Sequence, residues 1–198
     1  MKPPQSRAIL ALHDDRAKRA EPRFKEGIWE AIEANHRNNC LLWDEEDLAR
    51  RRQVPDTEIA NNKRAIDGYN QQRNDAAERI DEQMLALFAG TKPDPNAKLN
   101  SETPGAMIDR LSILSLKIHH MRLQTQRGDA TGAHLENCRL KLNRLNEQRT
   151  DLASCLDRLL AEAARGEAYF KVYRQFKMYN DPALNPAIYG ESSRSTRS

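Results

Sequence analysis

Two arginines, Arg73 and Arg149, occupy heptad positions at which the neighbouring turns carry aliphatic residues. The d positions of the two segments read Ile59, Ile66, Arg73, Ile80, Leu87 and Leu135, Leu142, Arg149, Leu156, Ala163. An asparagine, Asn70 or Asn146, stands one helical turn before each arginine. Burying a guanidinium costs several kcal/mol unless an anion accepts its hydrogen bonds. The spacing therefore predicts an interior acceptor, which is either a carboxylate of the protein or a bound anion.

Charged side chains on two other helical segments are candidates to complete such a site. Two interpretations stay open. In the first, Glu46 and Asp109 pair with the arginines and fix the register of the helices, as a single polar core residue does in coiled coils. In the second, the polar interior is a pocket that binds the phosphate or carboxylate of a ligand, a task that suits the planar fork of arginine. The candidate ligand-binding residues are then Glu46, Asn70, Arg73, Asp109, Lys117, Asn146 and Arg149.

A metal site has weaker support. Glu33 and His36 have the Glu-x-x-His spacing of helical di-iron proteins, but those proteins need a second copy of the motif and two further glutamates. The histidines of the later segments, His119, His120 and His134, have no glutamate three residues before them. We therefore expect no cofactor and no metal site. The weak candidates for a divalent metal are His36, Glu46 and Asp109.

Four long helices must position these residues. Apolar residues recur at helical spacing over residues 22–51, 56–88, 104–124 and 130–164, and turns containing Pro or Gly separate the segments. Residues 69–81 match residues 145–157 at six of thirteen positions. The sequence predicts an all-α, pseudo-symmetric four-helix bundle of two tandem helical hairpins, with a C-terminal helix or arm. Coincidence between two helices of similar composition is the alternative to an internal duplication.

The predicted domain covers residues 22–189, between a flexible or partly helical segment over 1–21 and a disordered, Ser- and Arg-rich tail over 190–198. Residues 169–189 hold six of the eleven aromatic residues of the chain. Tyr169, Tyr173 and Phe176 have helical spacing, which favours a helix and an arm across the end of the bundle. The same surface could instead dock a partner.

Charge and hydropathy narrow the classes of partner. The chain of 198 residues has 32 Lys and Arg against 29 Asp and Glu, a net charge of +3, which predicts no nucleic-acid partner. No apolar run is long enough to cross a membrane. No signal peptide follows the first residues, so we expect a cytoplasmic protein. The oligomeric state is left open.

Four blocks of the chain resemble a bacterial family known as domain of unknown function 4254. The blocks are residues 39–51, 59–81, 100–121 and 173–186, and the most specific is the SETPG motif at 101–105 with IDRLSIL at 108–114. The resemblance extends from about His36 to Tyr189. It implies a helical bacterial protein, and the frequent position of such genes among glycosyltransferase and envelope-polysaccharide genes implies a role in surface glycan assembly. The family has no established catalytic residue to carry over.

Three functions follow as hypotheses. The first is an accessory protein of cell-envelope polysaccharide synthesis, with envelope-glycan enzymes as partners, that binds a sugar phosphate or sugar nucleotide in the bundle interior. The second is a metal-dependent enzyme that acts on a phosphorylated sugar or nucleotide. The third is a purely structural bundle with internal ion pairs, which binds a partner through its C-terminal arm. The sequence leaves open whether the protein is an enzyme.

Overall fold

The computed structural model describes residues 2–15 and 22–195, with side chains up to residue 190. This part of the chain is mostly helical, which confirms the predicted all-α class. The helices are α1 (Ser6–Asp14), α2 (Gly27–Leu48), α3 (Asp56–Leu87), α4 (Pro104–Thr125), α5 (Gly132–Ala164) and α6 (Pro186–Ser195). Two short strands, β1 (Lys98–Leu99) and β2 (Ala168–Tyr169), pair in parallel.

Polar caps and proline set where the long helices begin. The Oγ1 atom of Thr103 accepts a hydrogen bond from the backbone N–H of Ala106, and Pro104 is the first residue of α4, as the sequence predicts. Thr131 caps α5 in the same way through the N–H of His134. Asp56 lies in the first turn of α3, where its negative charge is stabilised by the positive end of the helix dipole.

The central helix is α4, which contacts α1, α2, α3 and α5. The hairpins α2–α3 and α4–α5 pack side by side through α4, whereas no described Cα atom of α2 or α3 lies within 8 Å of one in α5. The interior is therefore more open than a closed four-helix bundle. These contacts between helices do not test the pseudo-symmetry or the internal duplication, so both stay predictions.

The short helix α1 fills part of the gap between α2 and α5. Its Ile9 and Leu12 belong to the hydrophobic core with residues of all four long helices. Ser6 hydrogen bonds with Asp157 and Asp14 forms an ion pair with Arg149, so α1 runs antiparallel to α5. The nine residues of α1 span only about 13 Å, so the rest of the gap stays uncovered by α1.

Two aspartates at matched positions of α3 and α5 each bind the start of another helix. Asp81 Oδ1 accepts the N–H of Gly105 at 2.6 Å, and Asp157 Oδ1 accepts the N–H of Ser6 at 2.9 Å. A Cβ atom on Gly105 would lie 2.2 Å from the carbonyl oxygen of Ala77, so glycine is what allows α4 to approach α3. These two contacts fix the ends of α4 and α1 on the longer helices.

The C-terminal segment differs from the predicted helix. The carbonyl of Tyr169 accepts the N–H of Asn100 in the β1–β2 pair, and Phe170 is buried edge-on against Phe88. Because β2 holds the start of the segment, residues 170–177 form no helix, and the helix predicted from the spacing of Tyr169, Tyr173 and Phe176 is wrong. A 3₁₀ turn at Met178–Asn180 follows, and then α6.

The outer segments of the predicted domain division are described only in part. Within 1–21, residues 6–14 are helical and residues 1 and 16–21 lie outside the described residues. α6 extends to Ser195, into the tail predicted to be disordered, and residues 196–198 again lie outside. The division itself stays a prediction.

The Asp81→Asn variant tests the carboxylate at the start of α4. Burial raises the pKa of Asp81 to about 6, opposed by hydrogen bonds from Thr103 and Gly105. The folded state thus holds the proton more tightly than the unfolded chain, and this stabilisation is lost as the pH rises through about 6. Relative to wild type, the variant should gain about 2–3 kcal/mol of unfolding free energy between about pH 4 and pH 7.

Urea denaturation across that range measures the difference. Asp75→Asn is the matched control, because Asp75 is exposed on the same helix. The same pH dependence in Asp81→Asn and wild type would contradict the assigned role.

Candidate functional site

A polar layer crosses the interior and is centred on Asp109 of α4. Its Oδ1 atom accepts hydrogen bonds at 2.9 Å from the side-chain amides of Asn35 and Asn39, both on α2. Arg73 of α3 forms an ion pair with the same oxygen, with its Nε atom at 3.7 Å. The amide of Asn35 also donates to the backbone carbonyl of Arg73. One carboxylate therefore joins three helices.

The layer continues through a pair of stacked histidines. Ser112 Oγ accepts the amide of Asn39 at 3.0 Å and lies 2.8 Å from His36 Nδ1. The ring of His36 stacks on that of His13 from α1, with centroids 4.7 Å apart. His13 is fully buried, and neither of its ring nitrogens has a hydrogen-bond partner among the described residues. Burial, followed by the nearby charges of His36 and Arg149, lowers the pKa of His13 well below its ordinary value.

Arg149 ends the layer on the far side. Its Nη1 atom lies 2.6 Å from Asp14 Oδ1 and 3.3 Å from Ser115 Oγ. The side chains of Arg73 and Arg149 are 26% and 17% exposed, so both are half-buried. Each arginine thus has a carboxylate partner within the protein. This pairing favours the structural interpretation of the two arginines over the ligand-binding one.

The structure separates the other predicted site residues. Glu46 pairs at 2.6 Å with Arg50, which lies four residues later, just beyond the end of α2. Asn70 and Asn146 are half-buried, and no hydrogen bond among the described residues joins their side chains to the layer. Lys117 is exposed and lies in a different place, described below. Among the predicted site residues, the described contacts bring together only Asp109 and Arg73, and Arg149 binds Asp14 and Ser115 instead.

The weak metal candidates do not converge either. Asp109 accepts amide hydrogen bonds, His36 faces Ser112 and Cys40, and Glu46 pairs with Arg50. In the described part of the chain, no group of three or more His, Cys, Asp or Glu side chains is arranged to hold a metal ion. No described helix is long and apolar enough to cross a membrane.

An open cleft of about 530 Å³ lies where α1 ends, between α2, α4 and α5. α1 contacts α5 at residues 149 and 157, and the cleft residues of α5 come just before that stretch. The side chains from each helix follow one stripe at helical spacing. They are Trp43, Asp47, Lys117, His120, Met121, Gln124, Lys141, Arg144, Leu145 and Gln148. Among the described residues, the cleft therefore adjoins the end of α1 in the gap between α2 and α5.

The cleft combines positive charge with aromatic surface. Lys117, Lys141 and Arg144 contribute three cations against the single carboxylate of Asp47, a balance of 3 − 1 = +2. Trp43 stacks on His120 with ring centroids 4.3 Å apart and planes 9° from parallel. The Nε1 atom of Trp43 is buried and has no hydrogen-bond partner among the described atoms. The arrangement suits an anion that also carries a flat or apolar group.

A family model described as "Protein of unknown function (DUF4254)" matches residues 29–172. The chain belongs to this family. The DUF4254 match covers nearly all of α2, then α3, β1, α4, α5 and β2, and so includes Asp109, Arg73 and every residue of the cleft. It ends at residue 172, so the fourth block of the resemblance, residues 173–186, lies beyond it. No curated protein and no solved structure matches the chain.

Sequence reasoning missed the residues that α1 contributes and most of the cleft. His13 and Asp14 lie in the segment that we predicted to be flexible or partly helical, and no site residue was predicted there although Ile9 and Leu12 give it an apolar face. On α5, Lys141, Arg144, Leu145 and Gln148 have the i, i+3, i+4, i+7 spacing of one helical face. Lys117, His120, Met121 and Gln124 repeat that spacing on α4. In the sequence, the signal for the cleft was these two stripes, in which basic and apolar residues share one helical face.

Replacing Asp109 should destabilise the protein more than replacing Arg73. Asp109→Ala removes the acceptor that two buried amides share and the carboxylate that pairs with Arg73, so it should cost about 3 kcal/mol of unfolding free energy even though each amide keeps at least one other acceptor. Arg73→Met should cost about 1 kcal/mol, because Asp109 keeps both amide donors. Chemical denaturation of the two single variants and the double variant measures the loss of unfolding free energy in each, and the energetic coupling between Asp109 and Arg73. An equal or larger loss in Arg73→Met would contradict the central position of Asp109.

His13→Phe should make the protein less sensitive to mild acid. A histidine with a lowered folded-state pKa stabilises the fold above its unfolded pKa, and this contribution is lost as the pH falls, by at most about 1.4 kcal/mol per pH unit. Phenylalanine keeps the stacked ring and removes the titration. Denaturation between about pH 7 and pH 5 checks this, with the exposed His134→Phe as control. Equal acid sensitivity of His13→Phe and wild type would refute it.

Proposed function

We propose that the protein binds a small organic anion of the sugar-phosphate or sugar-nucleotide class in the cleft between α2, α4 and α5. The observation that carries this proposal is the placement of three cations around a stacked Trp43–His120 pair in an open cavity. A volume of about 530 Å³ falls within the range of small-molecule sites.

Each part of the cleft has a distinct chemical task in this proposal. Lys117 and Lys141 bind phosphate oxygens as point charges, and Arg144 can bind two oxygens of one phosphate through its planar fork. The stacked rings of Trp43 and His120 offer a flat surface to a base or a sugar face.

The cleft also contains one carboxylate and two side-chain amides. Asp47, Gln124 and Gln148 can exchange hydrogen bonds with hydroxyl groups, which a sugar provides in number. A lone inorganic anion would leave these groups and the aromatic face unused. The mixed lining therefore supports a sugar phosphate or sugar nucleotide over a simple phosphate ion.

This proposal moves the anion site out of the bundle interior. Arg73 and Arg149 have Asp109 and Asp14 as partners, so an anion bound there would have to displace a carboxylate. Of the residues predicted to bind the ligand, only Lys117 lines the cleft. The interior layer then serves to hold α1, α2, α3 and α4 in register beneath the ligand site.

The biological setting we propose is accessory to cell-envelope polysaccharide synthesis in bacteria, as the family resemblance implies. In that role the protein would hold a sugar nucleotide and present it to a glycan-assembling enzyme. No group in the cleft is arranged as a nucleophile with its base among the described contacts, so the proposal is binding rather than turnover.

Binding of UDP-glucose tests the proposal. In a Trp29→Phe background Trp43 is the sole tryptophan, so its fluorescence should change on titration. The double change Lys141→Gln and Arg144→Gln should weaken binding at least about tenfold, since it removes two charge-assisted contacts. Glucose without phosphate should bind far more weakly, and inorganic pyrophosphate should bind with an intermediate affinity.

The control variant is Arg139→Gln, which removes a cation of α5 that pairs with Glu136 outside the cleft. It should leave the affinity unchanged. The proposal fails if UDP-glucose and pyrophosphate both leave Trp43 fluorescence and thermal stability unchanged, or if Arg139→Gln weakens binding as much as the cleft variant.

A further inference from the structure

A second surface, independent of the cleft, is the C-terminal arm, which we define as residues 171–190. It exposes large apolar side chains one after another, and these include Tyr173, Phe176, Met178, Tyr179 and Leu184. Phe176 is 86% exposed and Tyr179 is 66% exposed. None of them lines the cleft. A run of exposed aromatic side chains of this kind marks an interaction surface.

The arm is fixed to the bundle at a defined point. Arg174 forms ion pairs with Glu78 and Glu82 on the outer face of α3, and the N–H of Gln175 donates to Glu78 Oε1 at 3.0 Å. Upstream, Phe170 is buried in the core and β2 pairs with β1. The ion pairs of Arg174 and the pairing of β2 with β1 therefore hold the arm in place, while Phe176 and Tyr179 are exposed to solvent.

The charge of the arm selects the kind of partner. Lys171, Arg174 and Lys177 outweigh the one carboxylate, Asp181, by 3 − 1 = +2. Arg174 forms ion pairs with both Glu78 and Glu82 of α3, so one carboxylate charge there stays uncompensated. No ion pair joins Lys171 or Lys177 to another described residue, so these two lysines flank the exposed rings and are the groups that suit a negatively charged surface.

We propose that this arm docks the protein on the surface of an anionic membrane. Tyrosine, phenylalanine and lysine are the residue types that favour the boundary between lipid headgroups and acyl chains. Phe176, Met178 and Tyr179 insert at that boundary, and Lys171 and Lys177 bind the anionic headgroups. The side chains project from an extended stretch that ends in the 3₁₀ turn at Met178–Asn180 and do not line a groove, so they are placed to insert into a partner surface.

Sedimentation of the full-length protein with lipid vesicles tests this assignment. The protein should bind vesicles that contain phosphatidylglycerol, bind pure phosphatidylcholine vesicles more weakly, and be released by salt. The double change Phe176→Ser and Tyr179→Ser should reduce the partition coefficient at least about tenfold, because it removes the inserted rings. Its thermal stability should equal that of wild type, since both rings lie outside the core.

Two controls separate the arm from other surfaces. Leu140→Ser removes an apolar side chain that is 57% exposed on α5, and it should leave vesicle binding unchanged. The cleft variant Lys141→Gln with Arg144→Gln should also bind vesicles as wild type does. Loss of binding in the cleft variant but not in the arm variant would assign the headgroups to the cleft and overturn the proposal.

Three further results would also overturn it. One is the absence of wild-type binding to phosphatidylglycerol vesicles. Another is an equal loss of binding in Leu140→Ser. The third is a concentration-dependent dimer that the arm variant abolishes without any vesicle binding, since the arm would then contact a second copy of the chain.

Discussion

The carboxylate of Asp109 is the interaction on which the rest of the interior depends. One oxygen accepts two asparagine amides from α2 and pairs with the guanidinium of Arg73 on α3, so α2, α3 and α4 can take only one axial position relative to each other. From Asn39 the hydrogen bonds pass to Ser112 and His36, and through the histidine stack to α1. Apolar packing supplies most of the favourable free energy of such a core, but it is tolerant of sliding. A directional polar contact is what makes the packing unique.

The cleft lies beside the end of α1. α1 occupies the gap between α2 and α5, where Asp157 binds its start and Arg149 pairs with its end. Next to that end, the described stripes of α2, α4 and α5 face an opening. These stripes carry lysine, arginine and glutamine among apolar residues. A surface of this composition is stable in water and can still bind an apolar or aromatic group.

The sequence was informative where local chemistry decides the structure. Thr103 followed by Pro104 marked the start of α4, and the helical periodicity placed the four long helices, because caps and amphipathic spacing act within a few residues. It was uninformative where distant segments decide. The partner of Arg149 is Asp14, 135 residues away in the segment predicted only as flexible or partly helical. Glu46 pairs with Arg50 because a neighbour one turn away forms an ion pair without ordering a long loop. β2 likewise overrode the helical spacing of the segment after it.

The wide spacing between α5 and both α2 and α3 has a consequence for the cleft, since no described Cα atom of α5 lies within 8 Å of one in either helix. α5 has 33 residues, about 50 Å of helix, and its closest packing partner is α4, while α1 contacts it at residues 149 and 157. Along the N-terminal half of α5, Lys141, Arg144 and Gln148 line the cleft opposite Trp43. The packing of α5 on α4 therefore sets the width of the opening, whereas the hydrogen bonds that Asp109 accepts from α2 do not involve α5.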